Sequence, residues 1–231
     1  IKGRQPKAAV VKHQHNESRW FMKFDFSNFF GSTTYEFLIN QLLKVFPFST
    51  LLDKDYSKSK LYRSIFKLCF LEGKLPQGTP VSPILTNIMM IPIDYLISKS
   101  LTAYRFVYTR YADDLLISHR YTFDSVFEYY SIDTNGLNGK RFVQKIIEDV
   151  LQQENAPFAI NSEKTRYGSS SGHNFCFGMV LNKDNQITIG HKKKDQFKAL
   201  LHNYLMAKRN ETPWSLEEVQ VLNGTMSYFI S

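Results

Sequence analysis

Hydrophobic and polar positions alternate with a period of two from Trp20 to Phe26, a pattern that predicts a strand. After Phe30 the period changes. Phe37, Leu38, Leu42, Val45 and Phe46 recur at helical spacing behind Thr33 and Glu36, which form a capping-box pattern. A second helix is expected over 60–70 and a loop over 72–79, followed by a third helix from Pro83 that Pro92 kinks or breaks. β-rich runs at 105–111 and 115–118 flank Ala112-Asp113-Asp114 and predict a hairpin whose tip carries two adjacent acids. Val143, Ile146, Ile147, Val150 and Leu151 mark a helix over 140–154. Short strands are expected at 158–160, 174–181 and 186–189, the last two joined by a turn at 182–185. A basic helix over 192–208 carries the apolar stripe Phe197, Leu200, Leu201, Tyr204 and Leu205, and Ser215 with Glu218 caps a last helix toward Phe229. Helices and strands mixed along one chain without an internal repeat indicate an α+β fold.

Composition narrows the partners. The 231 residues include 29 Lys+Arg against 21 Asp+Glu, a net charge of +8. An apolar fraction of 43% and an aromatic fraction of 15% exclude a disordered polyelectrolyte. Thr86, Asn87, Pro92, Asp94 and Lys99 interrupt the longest apolar stretch, near 84–101, so it is not read as a membrane span and no membrane partner is expected. Cys69 and Cys176 are too few for a disulfide scaffold or a four-Cys zinc site, which fits a reducing, cytoplasmic compartment. The cationic excess favours a polyanion, since Lys and Arg on phosphates release condensed counterions. Residues 1–19, polar and basic, read as part of a flanking subdomain, and a start at Ile1 reads as a fragment of something longer.

Two acidic positions carry the chemistry. Asp25 ends a hydrophobic strand and Asp113-Asp114 follows another, and acids in such settings need a cation, a hydrogen-bond donor or a proton to offset desolvation. If the strands lie side by side, Asp25 and Asp113 could share two Mg²⁺ ions about 3.5–4 Å apart, the arrangement suited to in-line displacement at phosphorus. An isolated acid of this kind more often caps a turn. His13 and His15 could ligate a metal, but in a basic segment they more often meet RNA or solvent.

The chain resembles the prokaryotic reverse transcriptases, in particular retron-like and group II intron-like members. Five blocks carry the resemblance in order: 21–30 with Asp25, 75–83 with Gln77-Gly78, 108–114 with Tyr111-Ala112-Asp113-Asp114, 160–165 with Asn161 and Lys164, and 175–178 ending in Gly178. It implies a right-hand polymerase palm, an antiparallel sheet backed by helices, with partial fingers and the start of a thumb. The implied divisions are a fingers segment at 1–19, palm with inserted fingers elements at 20–190, and the palm/thumb connection with first thumb helices at 191–231.

The implied activity is RNA-directed DNA polymerisation, with Asp25, Asp113 and the Phe26 carbonyl as metal ligands for two Mg²⁺, Mn²⁺ being a substitute. Asp114 is the less engaged acid of the pair. Phe30 is implied as the ring that excludes a 2′-hydroxyl, Gln77 and Gly78 as the loop against the incoming dNTP, and Lys164 as the cation near the leaving pyrophosphate. The implied partners are an RNA template, a nucleic-acid primer and dNTPs, with a noncoding RNA, a protein partner and an oligomer left open. Three readings stay open as well: templated synthesis with a role in phage defence, untemplated synthesis as in abortive-infection enzymes, and an RNA-binding module of the intron-maturase kind.

Overall fold

The computed structural model describes residues 6–45, 64, 66–170 and 176–230. Its centre is a four-stranded antiparallel sheet of β1 (Trp20–Asp25), β2 (Val107–Tyr111), β3 (Asp114–His119) and β4 (Arg166–Ser169), in the order β2-β3-β1-β4. The period-two pattern decides which side chain faces where. Met22, Phe24 and Phe26 of the β1 segment and Leu115 and Ile117 of β3 enter the main core, whereas Phe21 and Leu116 enter a smaller cluster on the other face with Val10, Cys176 and Leu181. Lys23, Asp25 and Asp114 share the parity of Phe21 and Leu116, so they belong to this second face.

A helical layer covers the first face. It comprises α2 (Phe29–Ser32), α3 (Tyr35–Val45), α4 (Val81–Met89), α5 (Ile91–Thr102), α6 (Phe123–Tyr129) and α7 (Gly139–Gln153). Ile93, Ile97 and Leu101, spaced four residues apart along α5, are fully buried. Gly139 opens α7 where a Cβ would lie 2.4 Å from the Phe123 carbonyl carbon, a contact that only glycine permits. As expected from Pro92, α4 and α5 are separate helices, bent by 46° at Met90. No single helix among the described residues is long and apolar enough to cross a membrane, although this bent pair has the length and composition.

The second face is partly covered by α1 (Pro6–His15) and a small hairpin, β5 (Val180–Leu181) and β6 (Ile187–Thr188), which Gln14 and Asn185 join through reciprocal side-chain bonds of 2.8 Å. Beyond the sheet run α8 (His191–Arg209) and α9 (Leu216–Ile230), the latter opened by the expected Ser215–Glu218 capping box.

Several expectations are corrected. The cap of α3 is Thr34, whose Oγ1 accepts from Phe37 N, because the Thr33 hydroxyl is already donated to the Phe29 carbonyl at the end of α2. The acids do not sit together at the hairpin tip, since Ala112 and Asp113 make the turn while Asp114 is the first residue of β3. Residues 158–160 supply only a bridge from Ile160 to Phe26, and β4 and α6 went unpredicted. No residue of α8 is fully buried, but its apolar stripe is partly packed: Phe197, Leu200, Leu201 and Tyr204 are half-buried, Tyr204 meets the Trp214 ring at 5.2 Å, and Leu205 stays exposed. Most of the helix expected over 60–70, together with Phe46 and the 174–175 start of a strand, lies outside the described residues.

His13 departs most from its expected role. It is fully buried, with Nδ1 2.6 Å from Ser118 Oγ and Nε2 2.7 Å from Thr109 Oγ1. The Ser118 hydroxyl donates to Ser18 Oγ, so Nδ1 must be the donating nitrogen and Nε2 accepts from Thr109. Burial, reinforced by the charge of Lys12, lowers its pKa to about 3. The unfolded chain therefore binds a proton that the folded one refuses between that value and about 6.5. Stability conferred by neutral His13 should be complete above the upper bound and lost as pH falls through the window. Melting temperature measured against pH tests this: a His13→Gln variant should show a shallower acid decline than the parent, and an equal slope would refute it.

Candidate active site

The site gathers where β1 and β3 begin and end together. The register pairs Asp25 with Asp114, so the Ala112-Asp113 turn projects just beyond the last residue of β1. Ala112 holds a left-handed φ of 54°, which lets a two-residue turn close the hairpin and leaves Asp113 between the two strand acids.

Each acid has a different environment. Asp25 Oδ2 accepts from Lys164 Nζ at 2.9 Å, and Asp114 Oδ2 pairs with Lys23 Nζ at 2.7 Å. Among the described residues, neither of these lysines makes an ion pair with Asp113. Its pKa is raised chiefly by burial and then by the charges of Asp25 and Asp114, while its own backbone hydrogen bond and Lys164 act in the opposite direction. Lys164 shows the reciprocal effect, its pKa raised by the hydrogen bond and charge of Asp25.

A metal can be assessed on this donor set. The Ser27 N–H donates to Ala159 and the Asp25 carbonyl accepts from Asn161, both at 2.8 Å; these flanking bonds turn the Phe26 carbonyl to the other edge of its strand, the edge that β3 occupies. Hard oxygens from Asp25, Asp113 and Phe26 beside excess negative charge suit an oxygen-seeking divalent cation. Among the described residues no three His, Cys, Asp or Glu side chains form a ready cage. The three oxygens are thus only a partial ligand set, which water or a bound phosphate would have to complete around a divalent cation.

The Asn161-x-x-Lys164 spacing has a mechanical reason. Asn161 Oδ1 accepts from the N–H groups of Glu163 and Lys164 at 3.1 and 3.3 Å, and its own N–H holds the Asp25 carbonyl. One residue thus fixes the turn that delivers Lys164 and ties it to β1.

Phe30 is half-buried on α2, its ring edge-on to Phe29 at 5.4 Å, and Phe29 with Phe26 and Phe158 forms the aromatic floor beneath the acids. Gln77 and Gly78 are exposed in a turn anchored by Leu75, by Ser82 Oγ donating to the Pro76 carbonyl, and by the Thr79–Ser82 hydroxyl pair. Gly78 has φ 82° with open space around it, so the backbone there is accessible to a ligand. Phe177 at the tip of the Cys176–Met179 turn places its ring 5.9 Å from that of Tyr111, beside the acids.

Sequence reasoning missed the bracing behind the turn. Arg110 Nη1 donates to the Ala112 carbonyl at 2.7 Å and to Asn87 Oδ1 at 3.2 Å, while Nε and Nη2 grip Asp94 at 2.9 and 2.8 Å. Tyr108 OH donates to the same Asp94 at 2.7 Å. Burial works against the Arg110 charge, yet the Asp94 bond and charge more than offset it and raise its pKa. One guanidinium therefore connects the acid turn to α5 and, through Asn87, to the helix that follows the Gln77-Gly78 loop. The signal was available: Asp94 in an apolar helix and Arg110 in a β-rich run are charges in apolar settings, as Asp25 is.

Residues 2–200 match the family "Reverse transcriptase (RNA-dependent DNA polymerase)". Among curated proteins, the chain is 26% identical over 216 residues to the retron Ec73 reverse transcriptase of Escherichia coli, covering 90% of this chain and 61% of that one. It is 25% identical over 222 residues to the Escherichia coli retron Ec86 reverse transcriptase, covering 94% and 57%. The chain thus spans about three fifths of the length of these relatives. Among solved structures, apo telomerase from Candida tropicalis, truncated from its C-terminal domain, aligns with a TM-score of 0.47 at 15% identity over 79% of this chain and 38% of that one.

Proposed function

The chain belongs to the reverse transcriptase (RNA-dependent DNA polymerase) family, and from that premise we propose that the protein copies an RNA template into DNA by adding dNTPs to a primer 3′-hydroxyl. The observation that carries the reading is the junction of β1 and β3, where the Asp113 turn stands beside Asp25 and Lys164 pairs with Asp25. Asp25, Asp113 and the Phe26 carbonyl would hold two Mg²⁺ ions, or Mn²⁺ in their place, which when bound supply charge neutralisation at the attacking and leaving oxygens.

The remaining work falls to the chain itself. Lys164, whose side chain is 64% exposed, would turn from Asp25 to the leaving pyrophosphate and donate a hydrogen bond or proton there. Lys23 holds Asp114 aside, so that Asp114 shapes the field at Asp113 rather than acting as a ligand. Phe30 offers a ring to the sugar and favours deoxynucleotides, while Gln77 and Gly78 receive the base and sugar edge. Residues 20–190 are assigned to the palm with inserted fingers elements, 1–19 to a partial fingers segment and 191–231 to the palm/thumb connection. A cytoplasmic setting and a role in phage defence complete the proposal, the latter resting on the likeness to retron enzymes.

Primer extension by the full-length protein on an RNA template is the test. Mg²⁺-dependent DNA complementary to the RNA supports the proposal, and homopolymeric or random DNA made without RNA would replace it with untemplated synthesis. Lys164→Gln should lower kcat by about 10²–10³-fold with little change in primer-template affinity, as for loss of one transition-state donor. Single-turnover kinetics measure it, and a kcat within twofold of the parent would remove Lys164 from the chemistry.

A further inference from the structure

The opposite end of β3 carries a second concave site. From Asp114 to His119 the strand advances about 17 Å at ~3.4 Å per residue, away from the acids. There a cavity of about 590 Å³ is lined chiefly by Arg105, His119, Arg120, Tyr121, Tyr129 and Tyr130. No carboxylate is among the described residues that line it. Glu17 reaches Arg120 at 3.1 Å from outside, in a pair exposed on both sides and therefore weak.

Three features point to the same kind of ligand. The cationic groups are arginines, whose planar forks match phosphate oxygens. The aromatic groups are unusually open: Tyr129 is 82% and Tyr121 60% exposed, leaving ring faces that nothing in the fold uses fully. Arg105 occupies a helix-ending position with φ 60°, closed by Phe106 N–H donating to the Leu101 carbonyl, where glycine is the favoured residue. That turn leaves the Arg105 side chain exposed at the cavity wall. His119 does not add charge, since burial, with Arg105 nearby, holds its pKa below the ordinary value while Nδ1 accepts from Tyr121 N–H.

We propose that this cavity binds a single-stranded nucleic-acid segment outside the catalytic cleft, with phosphates on Arg105 and Arg120 and bases stacked on Tyr121 and Tyr129. Alternating arginines and open rings are the elements by which single strands are held without sequence readout. The segment could be the RNA that flows from the template or a DNA strand leaving the site; both share this chemistry.

The test uses full-length protein whose cleft is saturated with unlabelled template-primer duplex. Short labelled oligonucleotides, one of RNA with 4-thiouridine and one of DNA with 4-thiothymidine, are then bound and photocrosslinked. Crosslinks within 119–130 are expected, and the stronger arm identifies the strand. The double variant Arg105→Gln/Arg120→Gln should weaken this binding about tenfold and reduce the slope of log K against log salt by about 1.4, two phosphate contacts at ~0.7 each. Tyr121→Ala/Tyr129→Ala should weaken it at least about fivefold through lost stacking. Primer extension should be unchanged in both, and Asp113→Ala should keep the crosslink, so the result stands apart from the fate of the polymerase assignment. The site is overturned by crosslinks confined to other segments, by affinities within twofold of the parent, or by loss of the crosslink in Asp113→Ala. The parent's crosslink map decides the matter even if a variant fails to fold.

Discussion

Replacing Asp113 by asparagine is expected to abolish DNA synthesis while raising the melting temperature of the metal-free protein. The carboxylate is partly desolvated and faces Asp25 and Asp114, and the raised pKa means that its charge opposes folding. Asparagine keeps the shape and removes that charge. Activity moves the other way, because a cation held between Asp25 and Asp113 depends on the charge that destabilises the free protein. Loss of such a centre should lower kcat by about 10³-fold or more.

The sign of the pH effect follows. Above the Asp113 pKa the parent carries the unfavourable charge, and as pH falls through that raised value protonation relieves it. The stability gap between variant and parent should therefore close on acidification. Thermal melts in a chelator, run across pH, measure both statements; a variant less stable than the parent at neutral pH would show that Asp113 is structurally satisfied and no metal ligand is needed to account for it. Added Mg²⁺ should raise the melting temperature of the parent and leave Asp113→Asn unmoved, by mass action on the folded state alone.

The second large effect concerns Arg110, which touches no reacting atom. Its guanidinium nitrogens divide their bonds between Asp94, Asn87 and the Ala112 carbonyl, and its side chain is only 6% exposed. Arg110→Met leaves Asp94 with the Tyr108 hydroxyl alone and removes the side-chain partner of the Ala112 carbonyl; breaking a buried pair costs about 3–5 kcal/mol, and the partial exposure of Asp94 places this one toward or below the lower figure. The double variant Arg110→Met/Asp94→Leu removes both charges and should recover much of that stability. It should not recover the rate. The Ala112-Asp113 turn, in a left-handed conformation, would lose the bond that fixes it, and misplacement by about 1 Å can cost 10²-fold. Urea denaturation paired with single-turnover kinetics separates the two quantities. If the rate returns with stability in the double variant, Arg110 only stabilises the fold; if kcat stays low while primer-template affinity is unchanged, it positions Asp113. Arg110→Lys should resemble the loss, since one ammonium cannot span the three acceptors.

Thr33 and Thr34 are both competent caps, and sequence spacing favoured Thr33 with Glu36. The hydroxyl of Thr33 was taken by the preceding short helix, which spacing alone does not reveal. The stretch 158–160 has strand composition, yet it meets β1 at one bridge because the adjacent pairing edge is occupied further along by β4. β4 itself, Arg166–Ser169, has no alternation or β-branched residue to announce it, and its partner decides its conformation. His13 was legible as a histidine in a basic segment, but that its two nitrogens meet Ser118 and Thr109 is a matter of contacts about a hundred residues apart.

The sequence by itself determined the local facts: period-two strands with acids at their ends, the proline break between α4 and α5, the Asn161 turn that carries Lys164, the capping box of α9, and the family to which the ordered blocks belong. These depend on neighbours within a few residues, where side-chain spacing and turn chemistry act directly. The tertiary structure alone decided which acids confront one another, that Lys23 and Lys164 pair with Asp114 and Asp25 rather than with Asp113, and that Arg110 braces its turn. Those outcomes depend on strand register and on helices crossing the sheet, and a one-residue slip would send Asp25 and Asp114 to the opposite face. Charge in an apolar setting can be read along a chain; the partner that neutralises it is set by distance in space.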